Sequence, residues 1–305
     1  MRPLKILLGA ALLATFAAGC GGSEDNPLDG TGSTDGTAST NETIVVGSAG
    51  FPGNVLLAEL YAGALEDKGV KVERKLNIGE REVYYKLLEN GDLTVLPEYN
   101  GALLAYLDPK AELPATTEET NKAASAKLPA GLKLLDSSAA QDNDSLTVTS
   151  ETASKNNLKT VEDLKAVAGD LVVGGPAPFE ERFKDKLSTV YGLKFKEWVP
   201  DRSGGGNIPT WLKSGKVQVG NVFTANPAIV LDGLVVLEDT KGVFGLQNVT
   251  PLVREDGVDA AAAETLNKVS AQLTTEGLQE MMKKVAVDKT DPAKVAAEWL
   301  DAHPV

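Results

Sequence analysis

From Thr43 onward the chain alternates short apolar runs with stretches of helical periodicity, and few folds accept that order. Ile44-Val45-Val46 reads as a short buried strand. Val55, Leu56, Leu60, Ala64 and Leu65 then recur at helical spacing, with Gly69 closing the helix. Val70, Val72 and Leu76 predict a second strand; Val83, Leu87 and Leu88 predict a helix ended by Asn90-Gly91. Leu93 to Leu96 reads as a third strand, and Pro97 is expected to open the next helix or turn. A linker-like stretch follows, from about Pro109 to Pro129. The alternation then resumes. Thr160 and Asp163 predict a helix start, a capping box with Asp in place of Glu. Leu171-Val172-Val173, Val217 to Phe223 and Leu234 to Leu237 read as strands, and Phe179 to Tyr191 as a helix closed by Gly192. Asp259 to His303 carries helical segments only. Strands alternating with helices predict an α/β protein with mainly parallel sheets covered on both faces. A length of 305 residues leaves room for two lobes, each with its own core.

One internal echo points to a site. Gly91 to Tyr99 and Gly215 to Phe223 both read turn, strand, then aromatic, with the ring eight positions after the glycine. In open α/β sheets ligands bind beyond the carboxyl ends of strands. Two rings placed there, one from each lobe, are able to close on one ligand; the same pattern also suits two buried core aromatics at helix starts.

The amino terminus stands apart from the alternation. Arg2 and Lys5 precede an apolar run from Leu7 to Ala18, short of the roughly 20 residues that span a bilayer. This suits a secretory signal over residues 1–19. Ala17-Ala18-Gly19-Cys20 resembles a bacterial lipobox, which makes Cys20 the expected first mature residue and lipid carrier. Residues 20–42, rich in Gly, Ser, Thr and Asp, are expected to form a flexible tether. Loss of Arg2 and Lys5 with the leader takes the formal charge from −13 to −15.

That charge argues against nucleic-acid binding, which needs clustered cations. A single Cys and a single His provide no internal disulfide, no ordinary multi-ligand zinc site and only His303 for a nucleophile–base pair. Carboxylate chemistry stays open, with Asp142 and Asp144 as the candidate pair.

Ile44-Val45-Val46-Gly47-Ser48, Asn77-Ile78-Gly79 and above all Gly91-Asp92-Leu93…Pro97-Glu98-Tyr99-Asn100-Gly101 resemble the OpuAC-like substrate-binding proteins of ABC importers, which take up glycine betaine, choline, carnitine and related compatible solutes. Thr160 to Leu164 and Pro251 to Arg254 extend the likeness to the end of the chain. The resemblance implies a two-lobed periplasmic-binding-protein fold of type II, with lobe 1 over 43–146 plus 250–305 and lobe 2 over 147–249. It implies no cofactor, no metal and no catalysis. It also implies a cage of aromatic walls around a trimethylammonium group, each face worth roughly 0.5–2 kcal/mol.

Carried over by position, Tyr99 is one wall and Phe223 another that has lost its hydroxyl. Asp144 keeps an acid, while Leu146 and Gln247 stand where two further rings are usual. Arg182, in Phe179-Glu180-Glu181-Arg182, matches an arginine expected to meet a ligand carboxylate. A threonine falls on Ala102 and a lysine on Ala49. Phe51 and Asn100 are counted with the ligand-binding set, and Thr94 and Glu98 flank the Tyr99 corner; Phe51, Trp198 or Phe244 are candidates to replace missing walls. Losing two rings weakens quaternary-ammonium binding by about 30- to 1,000-fold.

The expectation is therefore an exported, lipid-anchored, monomeric solute-binding protein that closes on a betaine-like zwitterion or cation and delivers it to a permease and its ATPase. The alternatives are the same fold with a larger, less polar cargo, a surface lipoprotein enzyme using Asp142 and Asp144, and an adhesive lipoprotein.

Overall fold

The computed structural model describes residues 43–112, 114–202 and 205–305, so the expected leader, Cys20 and the tether lie outside the described residues. Along the chain come β1 (Ile44–Gly47), α1 (Pro52–Asp67), β2 (Val72–Lys75), α2 (Arg81–Asn90), β3 (Val95–Tyr99), α3 (Asn100–Leu107), α4 (Thr117–Ser125) and β4 (Leu132–Leu134). The middle contributes β5 (Leu146–Thr149), α5 (Ser150–Asn156), β6 (Val172–Gly175), α6 (Ala177–Lys186), β7 (Glu197–Pro200), α7 (Ile208–Lys213), β8 (Val219–Asn221), α8 (Ala228–Leu231) and β9 (Leu234–Val236). The chain returns as β10 (Val249–Arg254) and ends in α9 (Ala260–Gln272), α10 (Thr275–Ala286) and α11 (Pro292–Ala302).

These strands make two five-stranded sheets, ordered β2-β1-β3-β10-β4 and β7-β6-β8-β5-β9. In the first, β1 pairs parallel with β2 and β3, whereas β10 runs antiparallel to β3 and β4. The second repeats the plan, with β6 parallel to β7 and β8, and β5 antiparallel to β8 and β9. The sheets are therefore mixed, each with one reversed strand. In both cases that strand is the one on which the chain has just crossed from the other sheet. A chain arriving at the edge where the parallel strands end has to run back through the sheet.

Each sheet has its own core. Helix α1 is buried on nearly every side, with Leu56, Leu57, Leu60, Tyr61 and Leu65 inaccessible between the first sheet and the α9 and α11 helices. The one charge in its buried face, Glu59, is met by Arg74 on β2 at 2.7 Å. Leu146, Val148, Val173 and Val219 fill the second core with Phe179, Phe183, Tyr191 and Phe244.

Three local expectations fail for identifiable reasons. Pro97 lies inside β3, directly opposite Pro251 on β10. Two prolines cannot exchange N–H···O bonds, so they occupy a non-hydrogen-bonded pair, and the Pro97 carbonyl accepts from Asn54 Nδ2 at 2.8 Å. The linker-like stretch contains α4, capped by Thr116 with Glu118 and Glu119 in its first turn; it buries only Thr120 and Ala124, so no apolar period marks it. The Thr160–Asp163 box forms, with Asp163 Oδ2 accepting from the Thr160 and Lys159 amides at 2.8 and 2.9 Å. It leads only into two short 3₁₀ turns, Glu162–Ala166 and Ala168–Asp170.

The tightest approach between α3 and the returning chain is at Gly101, where a methyl group would run into the Leu246 carbonyl oxygen. A backbone atom cannot rotate aside. Gly101→Ala is expected to cost about 1–3 kcal/mol in urea unfolding, whereas Gly169→Ala, which meets nothing within 4 Å, leaves stability unchanged within about 0.5 kcal/mol.

Candidate functional site

The carboxyl ends of β3, β6 and β8 and the beginnings of β5 and β10 share one edge of the two sheets. Tyr99 closes β3, Asn221 closes β8, Asp144 stands before β5 and Gln247 before β10. This is the edge at which open α/β sheets bind ligands.

Glu98 anchors the first lobe's side. Its carboxylate is fully buried and accepts four hydrogen bonds: two from Arg81, each at 3.0 Å, one from the Tyr84 hydroxyl at 2.9 Å and one from the Tyr99 amide at 3.0 Å. A buried charge needs such a shell, and here the shell also fixes the backbone that carries Tyr99. The Tyr99 ring is 8% exposed and stacks on Phe51 with centroids 6.4 Å apart. Its hydroxyl is buried without a hydrogen-bond partner among the described residues. Burial, then the negative charge of Asp142, pushes that phenol well above its ordinary range.

Across the cleft, the two residues expected to meet opposite ends of a ligand meet each other. Asp144 Oδ2 pairs with Arg182 at 3.1 Å, and Oδ1 accepts from Asn221 Nδ2 at 3.1 Å. Burial raises the Asp144 carboxyl above the usual range against the pull of Arg182 and Asn221. Arg182 also donates through Nε to the Pro178 carbonyl and lies 4.9 Å over the Phe183 ring. A cleft of about 450 Å³ runs between Arg81, Ala102 and Tyr106 on one side and Asp144, Arg182 and Phe244 on the other, with Gln247 between them.

The crossings themselves are tied by Asn143. Its amide nitrogen donates to Thr224 Oγ1 at 2.9 Å, its Oδ1 accepts from the Gln247 amide at 2.8 Å, and its Nδ2 donates to Gln141 Oε1 at 2.6 Å. Gln247 in turn accepts from the Ala102 amide through Oε1 at 2.7 Å. Beside it, Asp142 accepts from the Ala225 amide at 3.0 Å, and α10 reaches over with Gln279 Nε2 donating to the Thr224 carbonyl at 2.6 Å.

Of the expected residues, Asp144, Arg182 and Gln247 share one cleft, while Phe51 stacks on Tyr99 and lines a second recess that shares Arg81 with it. Phe223, two residues past β8, is 41% exposed. Two expected residues belong elsewhere. Leu146 is the first residue of β5 and is wholly buried in the second lobe's core, so it forms no cleft wall. Asn100 is also wholly buried: its Oδ1 accepts from the Gly101 and Asn248 amides, and its Nδ2 donates to Asn121, so its side chain is turned into the fold and away from solvent. Trp198 and Phe244 pack around Phe179, and only Phe244 reaches the cleft. Asn143 and Arg81 escaped the sequence reading. The polar run Gln141-Asp142-Asn143-Asp144 directly before an apolar strand was the available signal for Asn143. Among the described residues no group of His, Cys, Asp and Glu is arranged to hold a metal, and no helix is long and apolar enough to cross a membrane.

Comparison with known proteins agrees with this edge-on cleft between two lobes. The family described as the substrate binding domain of ABC-type glycine betaine transport system matches residues 42–302. The carnitine transport binding protein OpuCC of Listeria monocytogenes is 25% identical over 279 residues, covering 87% of this chain and 88% of that protein. The glycine betaine-binding protein YehZ of Escherichia coli is 27% identical over 274 residues, covering 84% and 89%. The crystal structure of a glycine betaine/carnitine/choline ABC transporter protein superposes with a TM-score of 0.80 at 21% identity, over 85% of this chain and 98% of that one.

The shell around Glu98 predicts its own test. Glu98→Gln keeps the shape but strips the charge from Arg81, and is expected to lower stability by about 2–4 kcal/mol in chemical denaturation. Tyr84→Phe removes one donor only and is expected to cost about 1 kcal/mol.

Proposed function

Because the chain belongs to the family of substrate-binding domains of ABC-type glycine betaine transport systems, we propose that it captures a small quaternary-ammonium zwitterion or cation by closing its two lobes on it. Substrate-binding proteins of ABC importers are extracytoplasmic and hand their cargo to a permease powered by an ATPase. In this reading Cys20 is the lipid attachment point, residues 20–42 are the tether, and the protein works as a monomer. The lobes divide where β5 and β10 begin, one residue earlier at each crossing than the sequence suggests, so Leu146 goes with the second lobe and Val249 with the first.

One observation carries the ligand class. Among the described residues, Phe51 and Phe223 are the only exposed aromatic side chains, at 42% and 41%. Both lie at the carboxyl edge of a sheet, one in each lobe. Rings left in water at that edge are ready to be covered, and a trimethylammonium group suits them. It has no N–H to donate, carries a diffuse charge, and is held best by π faces. Tyr99, stacked on Phe51, adds a third ring. The names of the relatives, carnitine- and glycine betaine-binding, belong to the same chemical class. Leu146 in the core adds no apolar wall, which removes one argument for a larger, less polar cargo. With Arg182 held by Asp144, a ligand carboxylate competes for that guanidinium as the lobes close.

Calorimetric titration with glycine betaine, choline and carnitine tests the reading, and saturable binding is expected for at least one of them. Phe223→Leu is expected to raise the Kd about 3- to 30-fold with the unfolding midpoint unchanged, because the ring is exposed. Silence with every quaternary ammonium compound would overturn the proposal.

A further inference from the structure

Of the three carboxylates Glu98, Asp142 and Asp144, charge pairing leaves one over. Glu98 is closed by Arg81 through two bonds of 3.0 Å. Asp144 is closed by Arg182 and Asn221, both at 3.1 Å. Asp142 has no such partner: among the described residues no lysine or arginine pairs with it. Its Oδ1 accepts from the Ala225 amide at 3.0 Å, and its own amide donates to the Gln247 carbonyl at 3.1 Å. Its second oxygen accepts no hydrogen bond from any described residue. Lys186, on the second lobe's wall of the cleft, is exposed and lies 5.9 Å over the Phe183 ring.

A separate observation points to the same place. Tyr99 is nine-tenths buried, its hydroxyl lacks a partner, and Asp142 is the foremost charge acting on it. Phe51 stacks on that ring. From the other lobe, Phe223 immediately precedes Thr224 and Ala225, whose backbone is bonded to Asn143 and Asp142. An uncompensated carboxylate thus stands beside the Tyr99 ring of the first lobe and is bonded to the backbone two residues past Phe223. A quaternary ammonium group needs this chemistry: negative charge without a directional hydrogen bond, beside π faces.

Building on the ligand class argued above, we propose that Asp142 supplies the counter-charge for the ligand's quaternary ammonium group, and that Asp144, closed by Arg182, does not. Asp142 is then the residue that sets the site's preference for cations.

A pH dependence follows. Burial pushes the Asp142 carboxyl up to about 6; the Ala225 amide holds it down and the Asp144 charge raises it. The titratable groups facing it are Asp144 on the same segment and Tyr99 on β3. Residues 223–225, Gln247 and, beyond Thr224, Gln279 on α10 bring only neutral groups. A bound cation stabilises the carboxylate, so the complex holds fewer protons than the free protein. Affinity is therefore full above about pH 7 and falls as pH drops through about 6.

Calorimetry on the full chain with choline, which has the cation and no carboxylate, and with glycine betaine, provides the test. Between pH 8 and pH 5 the wild-type Kd for choline is expected to stay flat and then rise by up to about tenfold per pH unit. At pH 5.5, titration in two buffers of different ionisation enthalpy is expected to show protons released on binding, a measurement that needs no variant. Asp142→Asn, which keeps an oxygen for the Ala225 amide, is expected to weaken choline binding at pH 7.5 at least about tenfold and to abolish the pH slope. Binding that is unchanged in Asp142→Asn, or that releases no protons at pH 5.5, overturns the role of Asp142 and leaves the ligand class standing. No binding of either ligand by the wild type at any pH overturns both.

Discussion

The reversed strand in each sheet is the constraint from which the rest of the arrangement follows. Because β5 and β10 run against their neighbours, each begins at the edge where β3, β6 and β8 end. The two crossings between lobes are therefore forced onto the same edge as the ligand crevice. Asp144 and Gln247 line the cleft because each stands two residues before one of those strands, and Tyr99 and Asn221 reach the same edge as the last residues of β3 and β8. Hinge and site are consequently built from one stretch of chain.

This sharing explains the density of polar bonds around Asn143 and Gln247. A hinge has to be thin enough to bend, yet its backbone lies beside the crevice and needs its donors and acceptors met. Side-chain amides meet both demands. Gln247 caps the start of α3 through the Ala102 amide, and Asn143 holds the two crossings and Thr224 together. The same economy governs charge: Arg81 and Arg182 each hold a carboxylate that would otherwise be buried unpaired. Both guanidiniums also border the cleft.

Sequence patterning made the architecture legible because strands and helices differ in period, and because Gly91 and Gly192 sit at left-handed helix ends that only glycine takes without strain. The Tyr99 and Phe223 corners were legible because in both a left-handed glycine, Gly91 or Gly215, precedes a buried strand that ends at the ring or two residues before it. What the pattern could not carry was anything decided across the chain. Pro97 is accepted in β3 because it falls at a position that makes no ladder bond to β10. Helix α4 rests on a cap rather than on an apolar stripe. Asn100 has the composition of a ligand residue, and is taken out of consideration by Asn121 and Asn248, 21 and 148 positions away. Position in a family motif likewise gave Asp144 and Arg182 opposite duties; only three dimensions reveal that they pair.

That pairing also bears on how so few rings are able to serve. Two absent cage walls at about 1–2 kcal/mol each leave a deficit of about 2–4 kcal/mol. A carboxylate about 4 Å from a cation, at the effective dielectric of a partly buried site, gains about 4 kcal/mol before desolvation is subtracted. One uncompensated acid therefore offsets most of what the rings supplied, and Asp142 is the acid so placed. The exchange is not neutral in character. Rings hold a quaternary ammonium group with little regard for salt or acidity, whereas a carboxylate loosens its hold as ionic strength rises and as protons compete. A site that substitutes charge for aromatic faces thus keeps its ligand class while becoming responsive to the medium outside the cell.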